Sequence, residues 1–233
     1  MVAMTADAVV DDAFAGLYED IADCPRCILA KTRSRTVPGS GPSAADIMFI
    51  GEAPGAREDE LGLPFVGASG KFLDELLSSI GLSRESVYIC NVVKCRPPGN
   101  RDPEPAEIAA CEPYLDRQIE IVDPKVIVTL GRFSMARWFP GAAISKVHGK
   151  QKLVDGRIVV PMYHPAAALH RGDLRAVIEA DFAGLPALLD KASVGQSSMT
   201  HKTSAQPGFL LAASSTPSTP GSTAAAENQR RLL

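Results

Sequence analysis

The stretch Ile47-Met48-Phe49-Ile50-Gly51-Glu52-Ala53-Pro54-Gly55, running on to Gly62-Leu63-Pro64-Phe65-Val66-Gly67, decides how this chain folds. Its first four residues are uniformly apolar, the pattern of a strand buried on both faces. Glycines and prolines then impose a loop with unusual backbone angles. Beyond the loop, Phe72, Leu73, Leu76, Leu77 and Ile80 recur at helical spacing. Strand, loop and helix in that order put the loop at the carboxyl end of a strand, where open α/β sheets bind ligands. A loop this long, carrying Glu52, Glu58, Asp59 and Phe65, is costly to order for packing alone. It reads as a site.

The same alternation continues outward. Residues 87–93 read as a second strand, 126–131 as a third and 158–162 as a fourth, which Asp155-Gly156 opens as a hairpin signal. Between them lie helical patterns: a short one through Phe14, Leu17, Tyr18 and Ile21, one that Asp102 is placed to cap, and one over 133–139. A last helix carries Leu174, Ile178, Phe182 and Leu185. Strands alternating with helices predict an α/β fold of three layers, α/β/α, around a central, mostly parallel four-stranded sheet. From about Ala192 the composition turns to Ser, Thr, Ala, Pro and Gly, with too little apolar content for a core. Residues 1–191 therefore read as one folded domain and 192–233 as a disordered tail.

At 233 residues, 45% of them hydrophobic, the chain has enough material for one good core. The acidic N-terminus lacks the basic start and apolar run of a signal peptide or membrane anchor. A cytoplasmic location, with no membrane partner and with thiols kept reduced, is the expectation. Five cysteines then argue for a metal or cluster rather than disulfides. Cys24-Pro25-Arg26-Cys27 puts two thiols on one loop, Cys95 follows the second strand, and Cys111 lies on the inward face of the next helix. Four thiolates suit tetrahedral zinc or an iron–sulfur cluster. The long gap between Cys95 and Cys111 departs from the repeated C-x2-C of a zinc ribbon and favours [4Fe–4S]. Cys90 lies inside an apolar strand and reads as a core thiol. A net charge of −3 gives no global attraction to nucleic acid, so any DNA binding must come from a local basic face.

Four motifs in order, together with those cysteines, resemble the family 4 uracil-DNA glycosylases: Gly51-Glu52-Ala53-Pro54-Gly55, Pro64-Phe65-Val66-Gly67, Asn91-Val92-Val93-Lys94-Cys95-Arg96-Pro97-Pro98 and His164-Pro165-Ala166-Ala167. The resemblance spans roughly Cys24 to Leu189. It implies a monomeric enzyme that takes uracil-containing DNA, flips the base from the stack and hydrolyses its glycosidic bond. It also implies a [4Fe–4S] cluster on Cys24, Cys27, Cys95 and Cys111. By the same resemblance Phe65 stacks on uracil, Asn91 reads its O4 and N3–H edge, and His164 donates to O2 as charge develops on the leaving base. Gly51 and Ala53 line the site, and Asn100 is a weaker candidate for it. Glu52 and Glu58 are the candidates to position water or stabilise the oxocarbenium sugar. Two alternatives stand beside this reading: a covalent uracil-DNA trap, and an iron–sulfur protein that binds lesions without cleaving. The first carries a basic insertion ending in histidine after the second strand, and Cys95-Arg96-Pro97-Pro98-Gly99-Asn100 runs on without one.

Three further segments carry expectations. Gly67-Ala68-Ser69-Gly70-Lys71 is phosphate-loop-like, but Phe72 stands where such a loop needs Ser or Thr, which argues against nucleotide hydrolysis. Leu169-His170-Arg171 has the composition of a duplex wedge. The C-terminal Gln229-Arg230-Arg231-Leu232-Leu233 resembles the peptides by which bacterial DNA-processing proteins dock on the replication sliding clamp, with the tail as tether.

Overall fold

A computed structural model describes residues 12–200, with side chains through residue 193. The helix α1 (Ala15–Ala22) leads to β1 (Ile47–Gly51), α2 (Ala56–Leu61) and α3 (Ala68–Ser79). Then come β2 (Tyr88–Asn91), α4 (Pro105–Val122), β3 (Val126–Leu130), α5 (Arg132–Ala136) and α6 (Ile144–Val147). The hairpin of β4 (Lys152–Val154) and β5 (Arg157–Met162) follows, and α7 (Pro165–His170), α8 (Asp173–Ala183) and α9 (Leu185–Thr200) complete the order. The sheet runs β2-β1-β3-β5-β4, parallel except for β4, which pairs antiparallel with β5. No helix among the described residues is long and apolar enough to cross a membrane.

Alternate residues of each buried strand feed opposite cores. Met48 and Ile50 of β1 join Phe14, Leu17 and Ile21 of the α1 region and Leu115, Ile119 and Val122 of α4. Ile47 and Phe49 join Phe72, Leu73, Leu76 and Leu77 of α3 with Ile178, Phe182 and Leu185 of α8 and α9. Helices on both faces of the sheet are why β1, β2 and β3 are buried without a break. The chain runs from β1 to β2 on one side, then crosses to β3 on the other. That reversal opens a crevice at the carboxyl ends of β1 and β3, the usual ligand position in such sheets.

The three-layer α/β/α expectation matches the structure, but the sheet has five strands, not four. The missed strand, β4, has three residues, of which Lys152 and Leu153 are exposed, so no apolar alternation announces it. Asp155-Gly156 is the turn between two strands rather than the opening of one. Asp102 is not the cap of α4. Glu104 is, with Glu107 completing a capping box and Pro105 at the first helical position. The helix read over 133–139 is α5 (Arg132–Ala136). Leu185 starts α9 instead of ending α8, and α9 runs on to Thr200, past the boundary drawn at Ala192. The clamp-like peptide 229–233 lies outside the described residues.

Candidate active site

Four strand ends make the floor of the crevice. Gly51 closes β1 and Asn91 closes β2, paired in parallel register. Gly131 follows β3, its amide donating to Met162 O at the end of β5 (2.8 Å), and His164 stands two residues beyond. Residues far apart in sequence are thus side by side because parallel strands end on one edge. Gly51 has no room for a side chain: a Cβ there would lie 2.4 Å from Asn91 Oδ1 and 2.7 Å from the Phe65 ring. Phe65 in turn stacks on His164, with ring centroids 5.4 Å apart and planes at 22°. Gly51, Phe65, Asn91 and His164 therefore form one contiguous group.

Phe65 holds an unusual backbone, with φ at +53°. For a bulky residue that costs on the order of 1–3 kcal/mol and persists only where neighbours enforce it. Gly70 in the first turn of α3 is pressed against it, since a Cβ on Gly70 would fall 1.8 Å from Phe65 O. Glu58, on α2, accepts from the amides of Val66 (2.9 Å) and Gly67 (2.8 Å). Both oxygens of Asp59 accept from Ser34 N, at 3.0 and 3.1 Å, tying the same helix to the segment between α1 and β1. The small helix α2 inside the loop went unread because its six residues are too few for a periodic signal.

Asn91 is 1% exposed, and its Oδ1 is a buried acceptor with no hydrogen-bond partner. Leaving such an oxygen unpaired costs about 1–3 kcal/mol. It is therefore a marker for a ligand that brings a donor.

His164 caps α7. Its Nδ1 accepts from Ala166 N at 3.1 Å. Burial holds the imidazole down at about 4, against the opposing pull of the Glu58 carboxylate. The ring is thus neutral at ordinary pH. With Nδ1 accepting, its single proton sits on Nε2, which is left as a donor. Its place at a helix N-terminus also disfavours a charged ring.

The remaining candidates separate. Glu52 is half-buried at the end of β1, and burial first, then the nearby Asp102 carboxylate, raise it from 4.5 to about 7, with Arg132 opposing. It is a carboxyl poised to exchange a proton near neutrality. Glu58 spends one oxygen on loop amides, so its evident work is to hold the Phe65 loop. Ala53 is half-buried beside the core. Asn100 is exposed, and its Oδ1 accepts from Arg96 Nε at 2.7 Å, so nothing brings it to the Asn91 group. Leu169 on α7 is 52% exposed, just past His164.

Cys24, Cys27, Cys95 and Cys111 line one cavity with Ile21, Arg33, Lys94 and Tyr114. The Phe14 ring stacks on Tyr88 at 4.8 Å and Tyr114 Oη donates to Asp20 O at 3.1 Å, which docks α1 and delivers the first pair to the second. Arg33 Nη1 donates to Cys95 Sγ (3.4 Å) and Lys94 N to Cys111 Sγ (3.3 Å), the kind of partners thiolate ligands take. Among the described residues no three His, Cys, Asp or Glu side chains converge on a point that one metal ion could fill. Four thiols around one cavity are the donor set of a tetrahedral zinc site or of an iron–sulfur cluster. Cys90 is fully buried in β2, apart from this set.

Sequence reading passed over Lys94, which is 1% exposed. Its Nζ donates to Asn91 O (2.5 Å) and Gln118 Oε1 (2.6 Å), and Gln118 Nε2 donates to Tyr88 Oη (2.8 Å) and Pro38 O (2.6 Å). This network pins the chain between Asn91 and Cys95. A lysine directly after three apolar or amide positions of a strand end was the one available sign.

Residues 38–182 match the family model for the uracil DNA glycosylase superfamily. The type-4 uracil-DNA glycosylase of Sulfurisphaera tokodaii is 51% identical over 181 residues, 73% of this chain and 82% of that protein. That of Archaeoglobus fulgidus is 49% identical over 184 residues, 75% of this chain and 92% of its own. A type-5 uracil-DNA glycosylase of Thermus thermophilus is more distant, 34% identical over 152 residues, 56% of this chain and 69% of its own.

Proposed function

Since this chain belongs to the uracil-DNA glycosylase superfamily, we propose that it releases uracil from DNA by hydrolysing the N-glycosidic bond, the opening step of base excision repair. The observation that carries the reading is the unpaired buried Oδ1 of Asn91 in one group with the Phe65 ring and a neutral His164. A base flipped into the crevice stacks on Phe65 and gives its N3–H to Asn91. As the bond to the sugar breaks, negative charge moves into the uracil ring and onto O2, where His164 Nε2–H donates. Glu52, when ionised, would orient the attacking water or balance positive charge on the sugar. The four cysteines would hold a [4Fe–4S] cluster that ties the N-terminal segment to β2 and α4 as a structural element. No step of bond cleavage passes through it. The same reading takes the protein as a monomer, with the C-terminal peptide at Gln229 to Leu233 docking on the sliding clamp.

The direct test incubates the protein with a uracil-containing oligonucleotide and measures free uracil. Release of none, from a protein that is folded and carries its iron, overturns the reading. Asn91→Asp should relax discrimination against cytosine, because exchanging an amide for a carboxyl alters the donor–acceptor pattern that faces the base. Unchanged base preference in this variant would remove Asn91 from that role.

Glu52 yields a pH dependence. Folding raises its carboxyl from 4.5 to about 7, so the native state keeps a proton that the unfolded chain gives up between those values. The stability contributed by Glu52 therefore falls as pH rises through that window. If the carboxylate is the working form, the single-turnover rate should rise through pH 7. In Glu52→Gln the inflection should vanish, leaving a slower, flat profile. An inflection near pH 7 that persists in Glu52→Gln would assign it to another group.

A further inference from the structure

The strained backbone of Phe65 needs something that holds its carbonyl, and one guanidinium does so from outside the loop. Arg84 lies in the short turn between α3 and β2, where Ser83 and Ser86 cap each other reciprocally and fix its backbone. Its Nη2 donates to Phe65 O and, at 3.5 Å, to Gly70 O. Its Nη1 donates to Pro64 O at 3.0 Å, and its Nε to Asp74 Oδ1 at 2.6 Å. Three loop and helix carbonyls and one carboxylate thus occupy a single planar fork. Only guanidinium offers that many donors in fixed directions. The Asp74 carboxylate orients the fork, while the three carbonyls are what the fork orients.

We infer that Arg84 is a positioning residue for base recognition: it holds Phe65 in its left-handed conformation, and through that holds the aromatic ring against Gly51 and His164. Without the fork, the Pro64 and Phe65 carbonyls lose their donor. The Pro64–Phe65 peptide, whose carbonyl Arg84 Nη1 holds, then turns to relieve the positive φ of Phe65. The ring leaves its stacked position beside His164, while Asn91 and His164, which are held by other contacts, stay in place. Arg84 touches neither the base nor the reacting atoms, so its effect is transmitted wholly by Phe65. The inference rests on the reading of Phe65 as the ring that stacks on uracil.

That dependence makes the test a double-mutant cycle on single-turnover uracil release, with Phe65→Ala, Arg84→Gln and the pair. Arg84→Gln alone should be about 10–100-fold slower, comparable to Phe65→Ala, and Arg84→Lys, which keeps a charge but not the fork, should fall between it and wild type. In the double variant the second substitution should add less than about 3-fold, since there is no ring left to position. Thermal melting of each variant reads any separate contribution to stability. Additive losses in the cycle would overturn the inference and make Arg84 a general scaffold residue. Wild-type activity in Arg84→Gln would overturn it as well. A wild-type protein that releases no uracil would instead overturn the proposed function, which keeps the two failures apart. Should Arg84→Gln fail to fold, the cycle run with Arg84→Lys gives the same discrimination at smaller amplitude.

Discussion

His164→Ala should slow single-turnover release of uracil by on the order of 10²–10³-fold, the usual cost of one donor aimed at developing negative charge. Binding to uracil-containing DNA should change by less than about 3-fold, because in the ground state O2 is a carbonyl that gains little from the same donor. The expectation follows from three features. Ala166 N–H engages Nδ1 at 3.1 Å and so puts the proton on Nε2. Burial holds the ring near 4 and so keeps it neutral. The stacked Phe65 ring and the α7 cap fix its orientation before any substrate arrives. A depressed pKa means that the ring gains charge only as pH falls towards 4. The ratio of wild-type to His164→Ala rates should therefore be constant from about pH 5.5 to 8. A ratio that changes through pH 6.5 would show an imidazole titrating at its ordinary value. Equal losses in binding and cleavage would make His164 structural.

Removing one of the four clustered thiols should be the most damaging single change to the folded state. Protein purified anaerobically should be brown, with about four irons per chain. Cys95→Ala should lose the iron and lower the melting temperature by roughly 10 °C or more, because the segment carrying α1 would keep only its packing against β2 and α4. Cys90→Ala should keep the iron, since that side chain lies in β2 outside the cavity. Its cost is that of a small void. Burial pushes the Cys95 thiol up to about 11, so a bound metal has to displace its proton, and reconstitution should release protons and weaken as pH falls. Stoichiometric zinc without iron in a native preparation would replace the cluster with a different site. Iron retained in Cys95→Ala would remove that residue from the ligand set.

Much of this was written locally. Ile47-Met48-Phe49-Ile50, short and followed at once by glycine and proline, reads as a strand covered on both faces, because four consecutive apolar residues leave no solvent face. The glycines and prolines after it could only be a loop, and Phe72, Leu73, Leu76 and Leu77 have the spacing of one buried helical stripe. Such signals depend on neighbours within a turn or a strand, so they survive in one dimension, and the motifs at Gly51, Phe65, Asn91 and His164 came with them. β4 did not, because three residues with an exposed Leu153 have no period to read. The cap of α4 moved from Asp102 to Glu104 because the capping box with Glu107 competes for the same helix end.

What only the tertiary structure decided is which side chains face one another. The sequence offered Glu52, Glu58 and Asn100 without ranking their environments. The fold buries Glu58 on the amides of its own loop, leaves Asn100 exposed on Arg96, and sets Glu52 beside Asp102, where its proton affinity rises. It also sinks Lys94 into a network of neutral partners and lays Arg84 across the Phe65 carbonyl. Periodicity encodes whether a residue is inside or outside, since that is a property of one element and water. Desolvation, tautomer and hydrogen-bond partner depend on atoms brought from distant parts of the chain, and those are fixed only when parallel strands end together on one edge.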